Sequence, residues 1–192
     1  MNEHFDPTKS ALDLILFRAL KTYDDQQILT WLVDDSPLLR IAAATELHVR
    51  ATASNFEAVS KLTKSPRHEH RLAATRVLSQ FGTPSCPFAK ESFKLLRKLM
   101  TDRYFEVRAE AIAAVGQLAS LGHQPPIELA EAVIAHAKDG CSTVREAVAY
   151  ALLSLHSPDS QRTLAVLSQD PDADVREAAD FSADARRELS EV

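Results

Sequence analysis

One arginine-centred motif occurs five times along the chain, and this repetition constrains the fold more than any other feature of the sequence. The arginines stand 31, 37, 37 and 31 residues apart. Periods of this length are typical of solenoids, in which each repeat is a small helical unit that packs only on its neighbours. The five motif positions are Arg40, Arg71, Arg108, Arg145 and Arg176.

The residues around each arginine predict a turn followed by a helix. Asp or Ser stands six residues before it, at Asp34, Ser65, Asp102, Asp139 and Asp170. The residue just before it is Leu39, His70, Val107, Val144 or Val175. The residue three positions after it is Ala43, Ala74, Ala111, Val148 or Ala179. The last two positions are four apart and share one helical face, where small residues allow neighbouring helices to approach closely.

We predict that the arginines form a structural ladder between repeats. The short acidic residue falls in the turn, where it can accept hydrogen bonds from free N–H groups. The arginine lies along the same turn, within reach of the aspartate or carbonyl groups of an adjacent repeat. An anion-binding stripe is the alternative function. The ladder is expected to contain Arg40, Arg71, Arg108, Arg145 and Arg176 together with Asp102, Asp139 and Asp170.

A partner helix is expected before each arginine helix, because prolines and glycines separate the apolar segments where a two-helix repeat needs turns. The sequence therefore predicts an all-α solenoid of five helix pairs in a single domain, 1–192. A helix near 9–22, within residues 1–23, is expected to cap the open N-terminal end. The repeats are predicted at about 24–50, 55–81, 88–121, 126–155 and 160–189.

The charge of the chain disfavours a nucleic-acid partner, and the length of its apolar stretches disfavours a membrane span. The formal net charge is −5, and all of it comes from Asp170–Val192, which holds eight acidic residues and three arginines. Proteins that bind nucleic acid non-specifically need a basic surface. The N-terminus lacks signal-peptide features, and the apolar stretches are far shorter than the roughly 20 residues of a membrane span. We expect a cytoplasmic protein.

The sequence contains no catalytic motif, so we expect no enzymatic activity, cofactor, metal or small-molecule substrate. His68 and His70 are the nearest approach to a metal pair, but residues two apart on a helix point to different sides. Cys86 and Cys141 form no CxxC pair and have no histidine at helical spacing. We interpret them as reduced thiols without a catalytic role.

The motif D-x-x-x-x-V-R-x-x-A resembles the HEAT repeats of the phycobilisome-lyase type. It is clearest in DRYFEVRAEAIAAVGQL, CSTVREAVAYALLSL and DPDADVREAA, and the similarity extends over roughly residues 24 to 190. The resemblance implies helix pairs stacked in a right-handed superhelix, with the second helix of each pair on the concave side.

A narrower resemblance points to a function. The segment ILTWLVDDSPLLRIAAATELHVR, and the order of repeats around it, are similar to the HEAT-repeat immunity proteins of bacterial Rhs and type VI secretion toxins. The shared positions are Leu32, Asp34, Asp35, Leu38, Arg40 and Ile41. This resemblance implies a protein that binds and neutralises a secreted toxin, and acidic residues facing a basic toxin would speed association.

Two other functions stay open at this point. The chain could be a general protein-interaction scaffold, or an accessory subunit of the lyase type. HEAT-like DNA glycosylases use a strongly basic concave face, which this sequence does not predict. Under the immunity hypothesis, the partner-binding residues are expected to be Arg76, Tyr104, Glu110, Glu146, Tyr150 and Glu177.

Overall fold

The computed structural model describes residues 18–190, and within that range every regular element is helical, which confirms the all-α prediction. Residues 18–20 are helical, while most of the predicted capping helix at 9–22 lies outside the described residues. A short 3-10 helix, His136–Lys138, follows the α-helix Ile127–Ala135. The helix pairs are α1 (Asp25–Trp31) with α2 (Pro37–Val49), α3 (Ala53–Leu62) with α4 (His68–Leu78), α5 (Ala89–Leu99) with α6 (Phe105–Ser120), α7 (Ile127–Ala135) with α8 (Ser142–Ala151), and α9 (Ser160–Leu167) with α10 (Ala173–Ser190).

The arginine-bearing helices form one continuous layer. Helix α2 packs on α4, α4 on α6, α6 on α8, and α8 on α10. The first helices of the pairs contact one another less closely, although α1 meets α3 and α5 meets α7. Tighter packing along one layer than along the other indicates that the stack curves, with the arginine-bearing helices on its inner side. Repeat proteins use such inner surfaces to bind partners.

The core follows the repeat. The small residues three positions after the arginines are all completely buried, as are the apolar residues seven positions after the first four. One cluster of buried apolar side chains extends from Leu20 to Ala179, so that each repeat contributes to a shared core. The position just before the arginine is less regular. The valines there are buried, whereas Leu39 and His70 are partly exposed.

Short polar side chains fix where several helices begin. Asp24, Ser36 and Thr52 each accept a hydrogen bond from the backbone N–H three residues later, at the N-termini of α1, α2 and α3. Pro37 occupies the first position of α2, where its missing N–H is not needed. These caps satisfy N–H groups that have no partner inside a helix.

Three arginines bridge consecutive repeats. Arg71 donates two hydrogen bonds to Asp102 at 2.6 and 2.8 Å, and Arg108 contacts Asp139 in the same way at 2.9 and 2.8 Å. Arg145 contacts Asp170 at 2.7 Å through both nitrogens. Two-pronged arginine–carboxylate pairs of this kind combine strength with a fixed orientation. Each pair therefore sets how one repeat is placed on the next.

Each aspartate of the ladder also shapes its own turn. Asp102 accepts a hydrogen bond from the N–H of Tyr104, and Asp139 accepts one from the N–H of Cys141. Hydrogen bonds from Arg108 hold the pKa of Asp139 below its ordinary value, although burial opposes them. These carboxylates are ionised and fully engaged, so they are structural groups.

Arg40 and Arg176 do not form such a bridge. Arg40 donates to the carbonyl oxygens of Asp34 and Asp35, and forms no ion pair with a carboxylate of the described residues. The reason is that the following repeat has Ser65 where the other repeats have aspartate. Arg176 belongs to the last motif and donates to the carbonyls of its own turn. The predicted five-arginine ladder thus has three interrepeat bridges.

Replacing Arg145 by Ala should lower the free energy of unfolding by about 1–3 kcal/mol, because Asp170 loses its charged partner while it stays partly buried. Arg40→Ala is the matched control: it removes main-chain contacts only, so its effect should be smaller. Urea unfolding followed by circular dichroism measures both. Equal losses in the two variants would contradict a stabilising role for the carboxylate bridge.

Helices α6 and α8 approach so closely at Gly116 that no side chain fits there. A Cβ atom at this position would lie 2.7 Å from the Cα of Ala151. Alanine favours an exposed helix by about 1 kcal/mol over glycine. Gly116→Ala should instead destabilise the protein by about 1–3 kcal/mol, because α6 and α8 must separate. Gly140→Ala, where the space is open, should leave the melting temperature nearly unchanged. A stabilised Gly116→Ala variant would show that this contact is loose.

Candidate functional site

The inner layer carries a groove between α4, α6 and α8 with a volume of about 360 Å³. Its floor is apolar and consists of small or branched side chains, namely Leu72, Ala109, Ala113 and Ala147. These positions recur one, two or five residues after the motif arginine, so the ladder that aligns the repeats also aligns the floor. The absence of long side chains there is what leaves the space open.

Exposed aromatic side chains stand at the edges of this groove. Phe105 and Tyr150 line it and are 39% and 47% exposed. Phe181 on α10 is 57% exposed and meets the Tyr150 ring edge-on, with 6.3 Å between ring centroids. Large rigid aromatics that remain exposed on a free protein are the side chains that most often anchor protein interfaces.

Three glutamates give the groove an acidic wall. Glu110 pairs with Arg76 at 3.5 Å between Oε2 and Nε. Glu106 has a carboxylate oxygen that is inaccessible to solvent and has no hydrogen-bond partner within residues 18–190. Burial raises the pKa of Glu146, and the nearby carboxylates of Asp174 and Asp172 raise it further. In contrast to the ladder aspartates, Glu106 and Glu146 thus form no ion pair with a cation of the described residues.

Four of the predicted partner-binding residues meet in this groove: Arg76, Glu110, Glu146 and Tyr150. Glu177 is exposed on α10, one repeat beyond Glu146 at the equivalent position, and does not line the groove.

Tyr104 lies elsewhere. Its ring stacks on His68 with 4.1 Å between centroids, and the guanidinium of Arg103 lies 4.8 Å from its centre. Tyr104 therefore packs over the turn that holds the Arg71–Asp102 bridge.

Phe105 and Glu106 also line the groove, three and two residues before Arg108, and were not among the residues predicted from the sequence. These positions form the first turn of α6, immediately after Tyr104, the residue before the helix. The equivalent positions in the next repeat are Ser142 and Thr143, and Thr143 also lines the groove. Their spacing indicated this location, because Phe105 and Glu106 precede Ala109 and Glu110 by four residues and so lie on the same face of the helix.

The histidines and cysteines of the described range lie apart from the groove and form no metal-binding cluster. His70 contacts the hydroxyl of Ser65 at 3.2 Å, and burial lowers its pKa, whereas His68 stacks on Tyr104. Cys86 is buried and Cys141 partly buried, both as free thiols. No group of His, Cys, Asp or Glu within residues 18–190 is arranged to hold a metal ion. None of the helices there has the length and apolar character of a membrane span.

Stacked helix pairs with an open inner groove define the chain as an α-solenoid of the kind that generally serves as a protein-interaction scaffold. The chain belongs to the HEAT-repeat family, because the HEAT-repeat model matches residues 26–115 and 93–182. No curated protein is significantly similar to the chain in sequence.

Several solved structures share the fold. The protein YibA of Escherichia coli superposes with a TM-score of 0.78 at 22% identity, covering 97% of this chain and 66% of that structure. The CpcE–CpcF complex of phycocyanin lyase from Nostoc sp. gives a TM-score of 0.68 at 17% identity, covering 82% of this chain and 96% of that one. At these identities the likeness concerns the fold alone.

The raised pKa of Glu146 has a measurable consequence for stability. A carboxyl whose pKa is higher in the folded than in the unfolded state stabilises the fold at low pH, and loses that contribution as the pH rises through the folded value. Glu146→Gln should therefore raise the melting temperature at pH 7 by about 1–2 °C, a shift that corresponds to a few tenths of a kcal/mol. At about pH 3.5, where glutamate is protonated in both states, the variant and the wild type should coincide.

Glu177→Gln serves as the control for this measurement, since Glu177 is exposed at the equivalent position of the last repeat. Its melting temperature should change little at either pH. A Glu146→Gln variant that is destabilised at pH 7 would show that Glu146 makes a favourable contact in the free protein.

Proposed function

We propose that this protein neutralises a secreted bacterial toxin by binding it stoichiometrically in the cytoplasm, and that it has no catalytic activity of its own. The observation that carries the proposal is the inner groove, which combines exposed aromatic side chains with uncompensated acidic ones. The similarity of the segment around Arg40 to immunity proteins supplies the class of partner. Inhibition follows if the bound solenoid covers the active site of the toxin.

The charges of the inner surface favour a basic partner. Glu146 forms no ion pair with a cation of the described residues, and Asp174 and Glu177 extend the acidic surface along the exposed side of α10. A lysine or arginine of the partner would complete these groups, while Tyr150 and Phe181 would pack against its apolar surface. A designed armadillo repeat protein with a TM-score of 0.54 to this chain, at 15% identity, was solved with the basic peptide (KR)4. Binding of a basic ligand by a solenoid of this kind is therefore physically feasible.

The same charges argue against nucleic-acid chemistry on the inner surface. A DNA backbone requires several lysines or arginines to displace its counterions. Only Arg76 among the residues lining the groove is cationic, and Glu110 already pairs with it. A glycosylase-like function is therefore disfavoured.

The groove is formed by packed helices, so little order has to be gained on binding, and less affinity is lost to entropy.

A general scaffold remains the second candidate function, since HEAT solenoids bind many kinds of protein. The two proposals differ in affinity. A neutralised toxin must stay bound, so the dissociation constant should be nanomolar or lower, equivalent to about −12 kcal/mol. Slow dissociation should supply most of this affinity. A scaffold that releases its partners needs no such value.

Co-expression with its cognate toxin domain should rescue a bacterial host, and the rescue should depend on the groove. Tyr150→Ala should weaken binding by about 2 kcal/mol or more, the loss typical of a central interface aromatic. Glu146→Lys should slow association, most clearly at low salt, because it reverses the charge that attracts a basic surface. Surface plasmon resonance against candidate toxin domains from neighbouring genes measures both rates.

Matched controls lie on the outer helices. Val166→Ala truncates an exposed apolar side chain on α9, and Glu131→Lys reverses an exposed acid on α7. Neither should alter the kinetics. The scaffold function would replace the immunity function under two conditions together. The gene would have to protect against none of the neighbouring toxins, and the purified protein would still have to capture other partners through Tyr150.

A further inference from the structure

The outer surface carries a second groove, distinct from the inner one and larger, with a volume of about 510 Å³. It lies between α5 and the segment 124–126 that leads into α7. Phe93 and Leu129 form its floor, and both side chains are almost completely buried. Residues 124–126, in the link between α6 and α7, form the side of the groove that faces α5.

One wall of this outer groove is cationic. Lys90, Lys94 and Arg97 are exposed and recur at helical spacing along α5, so they form one stripe. None of the three forms an ion pair or hydrogen bond with another described residue; the neighbouring Glu91 also lines the groove but makes no such pair. By comparison, Lys61 on the outer helix α3 pairs with Glu57 at 2.8 Å. Helix α5 thus presents positive charge that the described protein leaves unbalanced.

Gln124, Pro125 and Pro126 form the opposite wall, which is largely apolar, and a hydrogen-bonded turn precedes them. Gly122, with φ of +89°, turns the chain at the end of α6, and His123 donates its N–H back to Leu118 at 3.0 Å. Pro125 and Pro126 then continue in an extended segment. Proline has no N–H to donate, so Pro125 and Pro126 offer apolar ring surface to the groove. The groove therefore suits a segment in which an apolar side chain is flanked by negatively charged residues.

We propose that the outer groove binds an acidic segment of a second protein. An apolar side chain of that segment lies between the prolines and the floor of Phe93 and Leu129, and flanking carboxylates pair with Lys90, Lys94 and Arg97. A peptide is favoured over nucleic acid because the cations occupy one wall only, while Phe93, Leu129 and the two prolines make much of the remainder apolar. This surface lies on the outer helices, so its occupant is independent of any partner in the inner groove.

Selection from a random peptide library displayed on phage, against the immobilised full-length protein, tests the proposal. The outer groove should enrich peptides that contain several carboxylates around a leucine or phenylalanine. The dissociation constant of a fluorescein-labelled enriched peptide should rise about tenfold in Lys94→Glu and in Arg97→Glu, as expected when a charge pair becomes a like-charge contact. Arg162→Glu, an exposed reversal on the outer helix α9, should leave it unchanged.

Other results would overturn the proposal. These are a selection without acidic peptides, acidic peptides that bind Lys94→Glu as tightly as the wild type, or an oligo-dT strand that binds more tightly than the peptides in a Lys94-dependent way. A change in sedimentation mass between the wild type and Lys94→Glu would assign the groove to a second copy of this chain instead. If only basic peptides were enriched, the proposal for the outer groove would be wrong, while the function proposed for the inner groove would still stand.

Discussion

The bridge from an arginine of one repeat to an aspartate of the next is the interaction on which the rest of the structure depends. Arg108 donates hydrogen bonds to both carboxylate oxygens of Asp139, and so it fixes the distance and the relative orientation of α6 and α8. The same aspartate accepts a hydrogen bond from the N–H of Cys141 and so shapes the turn that precedes α8. With the repeats held in one register, equivalent positions on successive helices come to lie side by side. The inner groove is a consequence of that register, because small residues at equivalent positions then form a continuous floor.

Features set by the local period could be predicted from the sequence. The buried alanines, the turns and the pairing of arginine with aspartate all recur with the motif, so each repeat supports the interpretation of the others. Even the missing bridge at Arg40 has a local cause that the sequence displays, namely Ser65 in place of an aspartate. Four of the predicted contact residues meet in the inner groove for the same reason, since the period places Arg76, Glu110, Glu146 and Tyr150 on one side.

Features that depend on differences between repeats could not be predicted in this way. Tyr104 stacks on His68 because the second repeat happens to supply an aromatic partner across the turn. Ten residues after the motif arginine, the inner repeats have the buried Phe81, Leu118 and Leu155, whereas the first and last have Arg50 and Arg186. Arg50 donates to the carbonyls of Leu20 and Tyr23, and Arg186 to those of Leu152 and Leu155. An arginine at that position serves the ends of the stack, where a carbonyl group would otherwise lack a donor.

The acidic residues of this chain therefore fall into two physical classes, which net charge alone does not separate. Hydrogen bonds from Arg108 and from Arg145 lower the pKa of Asp139 and of Asp170, whose negative charges are used within the fold. Burial and neighbouring acids raise the pKa of Glu146, and the inaccessible oxygen of Glu106 has no described partner. Burying a carboxylate without a partner in this way costs stability in the free protein. A chain of net charge −5 can thus hold a nearly neutral framework, an acidic inner groove and a basic outer one, and the affinity of each surface follows from its local charge.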